Sequence, residues 1–476
     1  MSSSSAVGGR DPYTEKLEQE IERIWEIALG LGLDPYPTHF EIVPASIMYE
    51  FGAYGLPGRF SHWTHGKAYQ RMKTMYDYGL SKIYELVVNT NPCYAFLMEG
   101  NNMVQNKLVV AHVLAHCDFF KNNLQFRHTS RQMIDAVSMH SERLRSYEFH
   151  HGQKEVERFL DQVLCIEEHV DPNLALRSKR SGDPPRTERR RPAERPYSDL
   201  FSAEELGKAH PAEDEKKRNS FPAEPEKDLL LFLAEHSPNL AEWQRDIIHI
   251  VRAEQLYFVP QMMTKIMNEG WASYWHREIM HELDLPSGEY VQYANLNAGV
   301  LAPSRHQVNP YYVGLKIWES IKKRWDEPTA QEMAELGREP GQGLAKMFEV
   351  REVDSDVSFL RNYLTKDLVE ELDLYLYRRE GDQWVVVEKD WQKIRHMLVA
   401  SLTNFGVPYI TVDDGDYRGN RELYLRHHYE GQEIDIKYAE KALAAVHGIW
   451  GRPVHLETVL DERPLRMSFD GERHSQ

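Results

Sequence analysis

Two histidines four residues apart are the first feature of this 476-residue sequence that could carry chemistry. His112 and His116 lie in the run VQNKLVVAHVLAHCDFF, whose apolar residues predict a helix. Side chains at positions i and i+4 share one helical face, so both imidazoles could reach one metal ion. The spacing therefore indicates two nitrogen ligands for zinc or another divalent metal. A hydrogen-bonded pair of core histidines is the alternative that this spacing leaves open.

A second predicted helix, MTKIMNEGWASYWHREIMHEL, supplies further ligand types. Glu269, Ser273 and His276 follow one another at i, i+4 and i+7 and therefore lie on one face. A carboxylate added to the histidines would leave an open position for a water molecule, whose pKa the metal lowers. The predicted metal ligands are His112, His116, Glu269 and His276.

A general base is harder to find in the sequence. Val113 directly follows His112 and cannot take a proton from a metal-bound water. The nearest carboxylates along the chain are Glu99 and Asp118, which are the candidate catalytic bases, and Tyr274 is a candidate for orienting substrate. If none of them acts, the site binds a metal or another ligand without hydrolysis.

The order of these motifs resembles the gluzincin metallopeptidases. In that group an edge strand precedes a helix with two histidines, and a later helix carries Asn-Glu-Gly, an aromatic residue and Ala. Residues 94–98 would be the edge strand, and residues 268–272 match the second helix. The resemblance implies a zincin-like domain in which Val113 stands where a gluzincin has its catalytic glutamate.

Several elements are predicted to position these side chains. An amphipathic helix is expected over residues 13–31, and a turn-rich loop over residues 40–60. β-prone runs predict strands at residues 83–89 and 94–98, directly before the histidine helix. Further expectations are helices over residues 61–77 and 131–170, a helix capped by Ser237 and interrupted at Pro260, and a loop over residues 293–312.

The composition changes after residue 170. Residues 177–195 read RSKRSGDPPRTERRRPAER, with almost no apolar side chains, and residues 199–228 turn acidic. Such a segment buries too little apolar surface to offset its conformational entropy. We therefore predict a disordered charged linker over residues 171–228, which divides a discontinuous helical domain of residues 1–170 and 229–345.

The last third of the chain contains an internal repeat. The run LYLYRREGDQWVVVEKDW, from Leu374, resembles LYLRHHYEGQEIDIKYAE, from Leu423, and Gly381 matches Gly431. In each copy a Gly-containing hairpin precedes a helical run and another strand. The predicted fold class is therefore α+β: a mainly helical N-terminal domain with a small sheet, and a C-terminal α/β domain of two ββαβ units over residues 350–470.

Composition excludes several classes of protein. Acidic residues outnumber basic ones by 74 to 57, and a net charge of −17 disfavours nucleic acid as a partner. No run of about 20 apolar residues occurs, so we expect no membrane span. Three cysteines without metal-finger spacing predict no disulfide framework. The first residues lack the apolar core of a secretory signal, so a cytoplasmic location is expected.

Long motifs along nearly the whole chain resemble the stage V sporulation protein R family of bacteria. They include HFEIVPASIMYEFGAYGLPGRFSHWTHGKAY, NTNPCYAFLMEGN, HVLAHCDFF, KIMNEGWASYWH and NPYYVGLKIWE. The resemblance implies a cytoplasmic bacterial protein that acts in sporulation, in building the spore cortex, a modified peptidoglycan layer. It also implies stress-response relatives that work with a serine protein kinase and a von Willebrand-type partner. Established catalytic residues are not among its implications.

Two functions remain open at this point. One is a metal-dependent hydrolase without the usual glutamate of the HExxH motif. The other is a non-enzymatic regulatory or scaffold protein that acts with a protein partner, such as a serine protein kinase system. In the second case Val113 would mark a catalytically silent site.

Overall fold

The structure is a computed structural model that describes residues 11–78, 85–174, 221–303, 308–381 and 383–476. Packing divides the chain into two compact units. The first unit contains Met1–Arg143 and Pro260–Gly406, and the second contains Leu144–Val259 and Val407–Gln476. Most of the predicted linker, residues 175–220, lies outside the described residues.

The division into units differs from the predicted domain bounds. Residues 144–174 and 221–259 belong with the C-terminal sheet, partly because Glu226 forms a β-bridge with Val412. The last residue of the predicted linker is packed into the protein. The Asp228 side chain is fully buried and forms an ion pair with the Arg252 guanidinium at 2.7 Å. Long-range packing of this kind leaves little trace in local composition.

Helices form most of the described structure. In chain order they are α1 (Pro12–Gly30), α2 (Ala45–Tyr54), α3 (Trp63–Asp77), α4 (Met103–Asn122), α5 (Met133–His151), α6 (Gln153–Leu164), α7 (Leu229–His236), α8 (Glu242–Met263), α9 (Lys265–Glu282), α10 (Ser287–Val300), α11 (Pro310–Asp326), α12 (Ala330–Leu336), α13 (Gly343–Val353), α14 (Asp356–Tyr363), α15 (Lys366–Glu371), α16 (Trp391–Leu402) and α17 (Ile436–Trp450).

The strands of the described residues form three small sheets. Their bounds are β1 (Thr38–Val43), β2 (Glu85–Val88), β3 (Cys93–Met98), β4 (Leu376–Glu380), β5 (Gln383–Glu388), β6 (Ile410–Tyr417), β7 (Glu422–His427), β8 (Val454–Leu460), β9 (Arg463–Phe469) and β10 (His474–Ser475). A mainly helical first part followed by a strand-rich C-terminal region confirms the predicted α+β class.

The sheet beside the histidine helix has the strand order β1-β3-β2. β3 is parallel to β1 and antiparallel to β2, so it is the central strand. The edge-strand prediction for residues 94–98 is therefore wrong, and with it one part of the gluzincin resemblance. The reason is that residues 40–60, predicted as a loop, contain the end of β1 and all of α2. β1 supplies the second neighbour of β3.

α4 begins at a capping box and then crosses the interior of the first unit. The Asn102 side chain accepts a hydrogen bond from the Gln105 N–H, and the Gln105 side chain accepts one from the Asn102 N–H, both at 2.9 Å. This reciprocal pair satisfies amide groups that have no partner inside the helix. Most side chains of α4 are buried, which is typical of a helix that is apolar around its whole circumference.

α9 is fixed by contacts at its start and along its length. The fully buried Asp356 carboxylate accepts hydrogen bonds from the backbone N–H groups of Ile266 and Met267, each at 2.8 Å. A Cβ atom on Gly270 would lie 2.3 Å from the carbonyl carbon of Gly314, so glycine is required where α9 and α11 cross. This close approach sets the depth at which α9 lies in the core.

Three other expectations for this region differ from the structure. Ser237 ends α7 as its C-cap instead of starting a helix, and Pro260 lies within α8. The predicted loop over residues 293–312 is helical at both ends, in α10 and α11. Asn309 starts α11 because its side chain accepts the Tyr311 N–H at 3.0 Å, a capping role that polar composition alone does not distinguish from a loop.

The second unit contains a five-stranded sheet in the order β10-β9-β8-β7-β6. β7 and β8 are parallel and are joined through α17, while the other pairs are antiparallel. β4 and β5 form a separate two-stranded sheet within the first unit. The described residues 428–435 form no strand, and Asp435 instead caps α17, so the second copy of the repeat departs from the ββαβ order.

No helix among the described residues is both long enough and apolar enough to cross a membrane.

Candidate metal centre

Two neighbouring helices of the first unit, α4 and α9, bring the predicted ligands together. Nδ1 of His112 lies 2.9 Å from Nδ1 of His276, and Nδ1 of His116 lies 2.9 Å from Oδ1 of Asn268. Because the residue number rises along α4 as it falls along α9, the two helices run antiparallel. These contacts show that the face of α4 with both histidines packs against the face of α9 with Glu269 and His276.

The carboxylate of Glu269 lies between the two α4 histidines. Its Oε2 atom is 3.5 Å from Nε2 of His112 and 3.4 Å from Nε2 of His116. The three possible ligand atoms all lie within 4.8 Å of one another. Within the described parts of the chain, this is the one group of three or more His, Cys, Asp or Glu side chains with that property.

These separations fit a shared metal ion. Bonds of 2.0–2.2 Å around a tetrahedral zinc ion hold neighbouring ligand atoms about 3.3–3.6 Å apart. Direct N–H···O hydrogen bonds are shorter, at about 2.7–3.2 Å. Glu269 Oε2 is buried and has no hydrogen-bond partner among the described residues. The residues present therefore fit a divalent ion, because a buried carboxylate oxygen without a close donor is satisfied by a cation.

Charge at the centre is arranged around Glu269. Burial acts to raise its pKa, but the neighbouring imidazoles of His112 and His116 and the Lys265 ammonium hold that pKa well below the usual range for glutamate. The Lys265 ammonium donates to Oε1 at 2.6 Å and is 60% exposed. One carboxylate oxygen is thus bound to lysine at the surface, and the other is directed toward the histidines.

The ring of His116 is oriented for ligation. Its Nδ1 atom faces the amide oxygen of Asn268, which can only accept a hydrogen bond. Nδ1 therefore carries the ring proton, and the lone pair of Nε2 points toward Glu269. A hydrogen bond of this kind to the far nitrogen is how metal-binding histidines are usually held in place.

His276 does not take the predicted ligand position. Its Nδ1 atom faces His112, and its Nε2 atom lies 2.9 Å from Oδ1 of Asn297. Complete burial lowers its pKa to about 3, so the ring is neutral. Both ring nitrogens are engaged, and the residue lies behind His112 instead of beside Glu269.

Asp118, predicted as a possible base, has a different environment. Its carboxylate is fully buried and accepts hydrogen bonds from Arg351 Nη1 at 2.8 and 2.9 Å, Trp271 Nε1 at 2.9 Å and the Asp34 N–H at 2.8 Å. Burial raises its pKa, against the opposing effect of Arg351. A carboxylate held by this many donors joins elements of the core and is not available to accept a proton from water.

The other two catalytic candidates are also separated from the triad. Glu99 is exposed in the turn after β3, where its N–H donates to the Val43 carbonyl. Tyr274 lies five positions after Glu269, about 140° around the helix from it. Its ring faces Arg277, whose guanidinium carbon is 5.2 Å from the ring centre. Neither Glu99 nor Asp118 belongs to the close group formed by His112, His116 and Glu269.

Four residues at the site were missed from the sequence. Asn268 directly precedes Glu269, and Lys265 is four positions before it, so the i,i+4 rule could have identified the lysine. Asn297 and Tyr311 come from the region expected to be a loop. The Tyr311 ring centre is 6.0 Å from that of His112. No local pattern connects these last two residues to the histidine pair.

Comparison with known proteins places the whole chain. A family model described as SpoVR like protein matches residues 11–407, and one described as SpoVR-like C-terminal domain matches residues 408–461. The chain belongs to the SpoVR family. The boundary between the two matches falls next to the end of the first unit at residue 406. His112, His116 and Glu269 all lie within the first match, residues 11–407.

A curated protein is similar over nearly the full length of the chain. It is the uncharacterized protein YcgB of Escherichia coli (strain K12), which is 27% identical over 478 residues. The alignment covers 94% of this chain and 93% of the relative. No solved structure matches the chain.

Proposed function

We propose that this SpoVR-family protein is a metalloprotein in which His112, His116 and Glu269 hold one divalent ion, with zinc expected first. The observation that carries the proposal is the pair of Nε2–Oε2 separations, 3.4 and 3.5 Å, around a buried carboxylate. When bound, such an ion supplies Lewis acidity and lowers the pKa of a coordinated water.

Hydrolysis is the reaction that we propose for this centre. The two Nε2 lone pairs and the Glu269 carboxylate would hold the ion, and Lys265 holds the outer carboxylate oxygen in place. Val113 is fully buried and apolar, so the chain supplies no base at the position where gluzincins have one. The proposal is therefore a metal-dependent hydrolase with its proton acceptor outside the HExxH pattern.

A regulatory role is the second candidate, favoured by the positions of Glu99, Asp118 and Tyr274 away from the triad. In this version the ion stabilises or switches a protein that acts with a partner, and we propose a serine protein kinase system as that partner. Family membership supports a process proposal as well. We propose a cytoplasmic role in sporulation through formation of the spore cortex, or in the stress response.

Metal analysis tests the centre directly. Untagged full-length protein, purified without chelators, should contain about one equivalent of metal per chain by mass spectrometry, which His116→Ala and Glu269→Gln should lose. The matched control is His427→Ala. His427 is also buried, but its Nδ1 atom is hydrogen-bonded to the Thr458 hydroxyl at 2.9 Å. A wild-type protein that retains no zinc, cobalt or manganese after loading and desalting would refute the metal centre.

A second experiment separates the two roles. The zinc-loaded protein is assayed against panels of peptides, amides and phosphate esters, with Glu269→Gln as the control. The hydrolase proposal expects metal-dependent turnover that this variant lacks. The regulatory proposal expects no turnover, and instead metal-dependent co-purification with the serine protein kinase of the same host, lost in the same variant.

A further inference from the structure

A continuous line of polar contacts runs from α10 to the candidate metal centre. Oδ1 of Asn297 lies 2.9 Å from Nε2 of His276, and Nδ1 of His276 lies 2.9 Å from Nδ1 of His112. Nε2 of His112 then faces Oε2 of Glu269 at 3.5 Å. His276 is fully buried, so its hydrogen bonds are made within the protein.

With the Asn297 oxygen facing His276, counting protons along this line gives the state of His112. The oxygen of Asn297 only accepts, so Nε2 of His276 carries the proton. A neutral imidazole has one N–H, so Nδ1 of His276 accepts a hydrogen bond, and Nδ1 of His112 must donate it. The Nε2 atom of His112 is left with a lone pair directed at Glu269, which is the form that a metal ion requires.

The opposite arrangement is chemically complete as well. If the Asn297 amide rotates and presents its nitrogen, Nε2 of His276 becomes the acceptor and Nδ1 carries the proton. If Nδ1–H of His276 is donated to Nδ1 of His112, then His112 presents Nε2–H to Glu269 as a donor and cannot bind metal. If it is donated to the Ala272 carbonyl one turn earlier, which also hydrogen-bonds this ring, then His112 is no longer held in the metal-binding form. Each ring carries one proton in both arrangements.

We propose that His276 and Asn297 are positioning residues that select the metal-binding tautomer of His112. The inference rests on the proposed metal centre and adds a second requirement, the orientation of an amide on α10. Of the side chains on this helix, Tyr293 is buried, and Glu289 forms an ion pair with the buried Lys107 of α4 at 3.1 Å. The tautomer of the buried His112 thereby depends on a helix, α10, whose side chains are mostly exposed.

Zinc affinity of the full-length protein, measured by competition with a chromophoric chelator, tests the proposal. Asn297→Leu and His276→Phe remove acceptors and should weaken zinc binding about 10- to 100-fold, the usual effect of losing an outer partner of a ligand. His276→Gln can offer an amide oxygen to His112 and should recover most of the affinity. Stoichiometry should remain that of the wild type in all three variants.

Tyr293→Phe is the matched control. The Tyr293 ring packs 6.4 Å from that of His276, and its buried hydroxyl has no hydrogen-bond partner among the described residues. The variant keeps the packing and should bind zinc like the wild type. Equal affinity of His276→Phe and wild type, or equal losses in His276→Phe and His276→Gln, would overturn the positioning role.

A spectroscopic readout separates this inference from the metal proposal. In metal-free protein labelled with ¹⁵N at histidine, long-range proton–nitrogen correlation distinguishes Nδ1–H from Nε2–H. We expect His112 as the Nδ1–H form in wild type and a shift toward Nε2–H in Asn297→Leu. If the wild type binds no zinc, the metal centre fails while this spectrum still decides the tautomer, and Nε2–H in the wild type would overturn the positioning role.

Discussion

Buried histidines occur in both units, but their partners differ. In the first unit His112 and His116 converge on Glu269 at 3.5 and 3.4 Å. In the sheet of the second unit His427 pairs with the Thr458 hydroxyl, and His455 contacts Ser468 Oγ at 2.8 Å. Histidines are thus buried in both units, but among the described residues two of them converge on one carboxylate oxygen only in the first unit.

His455 makes the contrast sharper because it too lies beside a glutamate. Its Nε2 atom is 3.0 Å from Oε2 of Glu422, an ordinary hydrogen-bond length, and no second histidine in the described part of the chain shares that oxygen. Glu269 has two histidines at distances that are long for hydrogen bonds and suitable for ligands of one ion. Distances and the number of shared partners, not residue types, separate the two cases.

The largest expected effect is the loss of metal when the shared carboxylate is neutralised. Glu269→Gln should lower zinc affinity by at least about 100-fold, more than loss of an outer partner costs. His455→Gln in the second unit should leave zinc affinity unchanged. Isothermal titration with zinc checks both variants, and an equal response of the two would remove the distinction between the units.

Arg351→Met should have the largest effect on stability. It leaves the buried Asp118 carboxylate without its cation, and breaking such a pair typically costs about 3–5 kcal/mol. Denaturant unfolding should show this loss, while the remaining folded protein still binds zinc in the wild-type ratio. If the variant folds normally but loses zinc, Asp118 belongs to the metal centre, contrary to its place in the structure.

Zinc itself should stabilise the first unit selectively. At a free concentration 100 times Kd, binding adds about 2.7 kcal/mol to the stability of the folded form. Hydrogen exchange should therefore slow in α4 and α9 and stay unchanged in β6–β9, and His116→Ala should abolish the slowing. Protection spread equally over the five-stranded sheet would indicate that the second unit also binds the ion.

The smallest expected effect concerns pH and the second unit. Burial, followed by repulsion from His428, lowers the pKa of His427 below its usual value near 6.5. A depressed histidine pKa means that the unfolded chain takes up the proton first, so stability is present above about pH 6.5 and declines as the pH falls. His427→Gln should show a shallower decline in urea unfolding, and an unchanged slope would contradict this assignment.

Local sequence was sufficient for the elements that carry the triad. An i,i+4 pair within an apolar run predicts a helix with two imidazoles on one face, and the structure has that helix as α4. The predicted helix carrying Glu269 is present as α9. Helical periodicity depends on neighbours along the chain, which explains why these predictions needed no tertiary information.

Only the tertiary structure decided which polar side chains meet. His276 shares a face with Glu269, yet its Nδ1 atom faces His112 and its Nε2 atom faces Asn297 of α10. Asp118 follows His116 closely in sequence, but its carboxylate is bound by Arg351, which is 233 residues from Asp118. Partners so distant in sequence are selected by helix packing.

The sequence by itself thus determined the α+β class, the histidine pair and family membership. The tertiary structure decided that His112, His116 and Glu269 converge while Glu99, Asp118 and Tyr274 do not. The physical reason is one of range. Side-chain spacing on a helix follows from backbone geometry, whereas convergence of these side chains requires α4 to pack against α9, which is itself held against α11 where Gly270 meets Gly314.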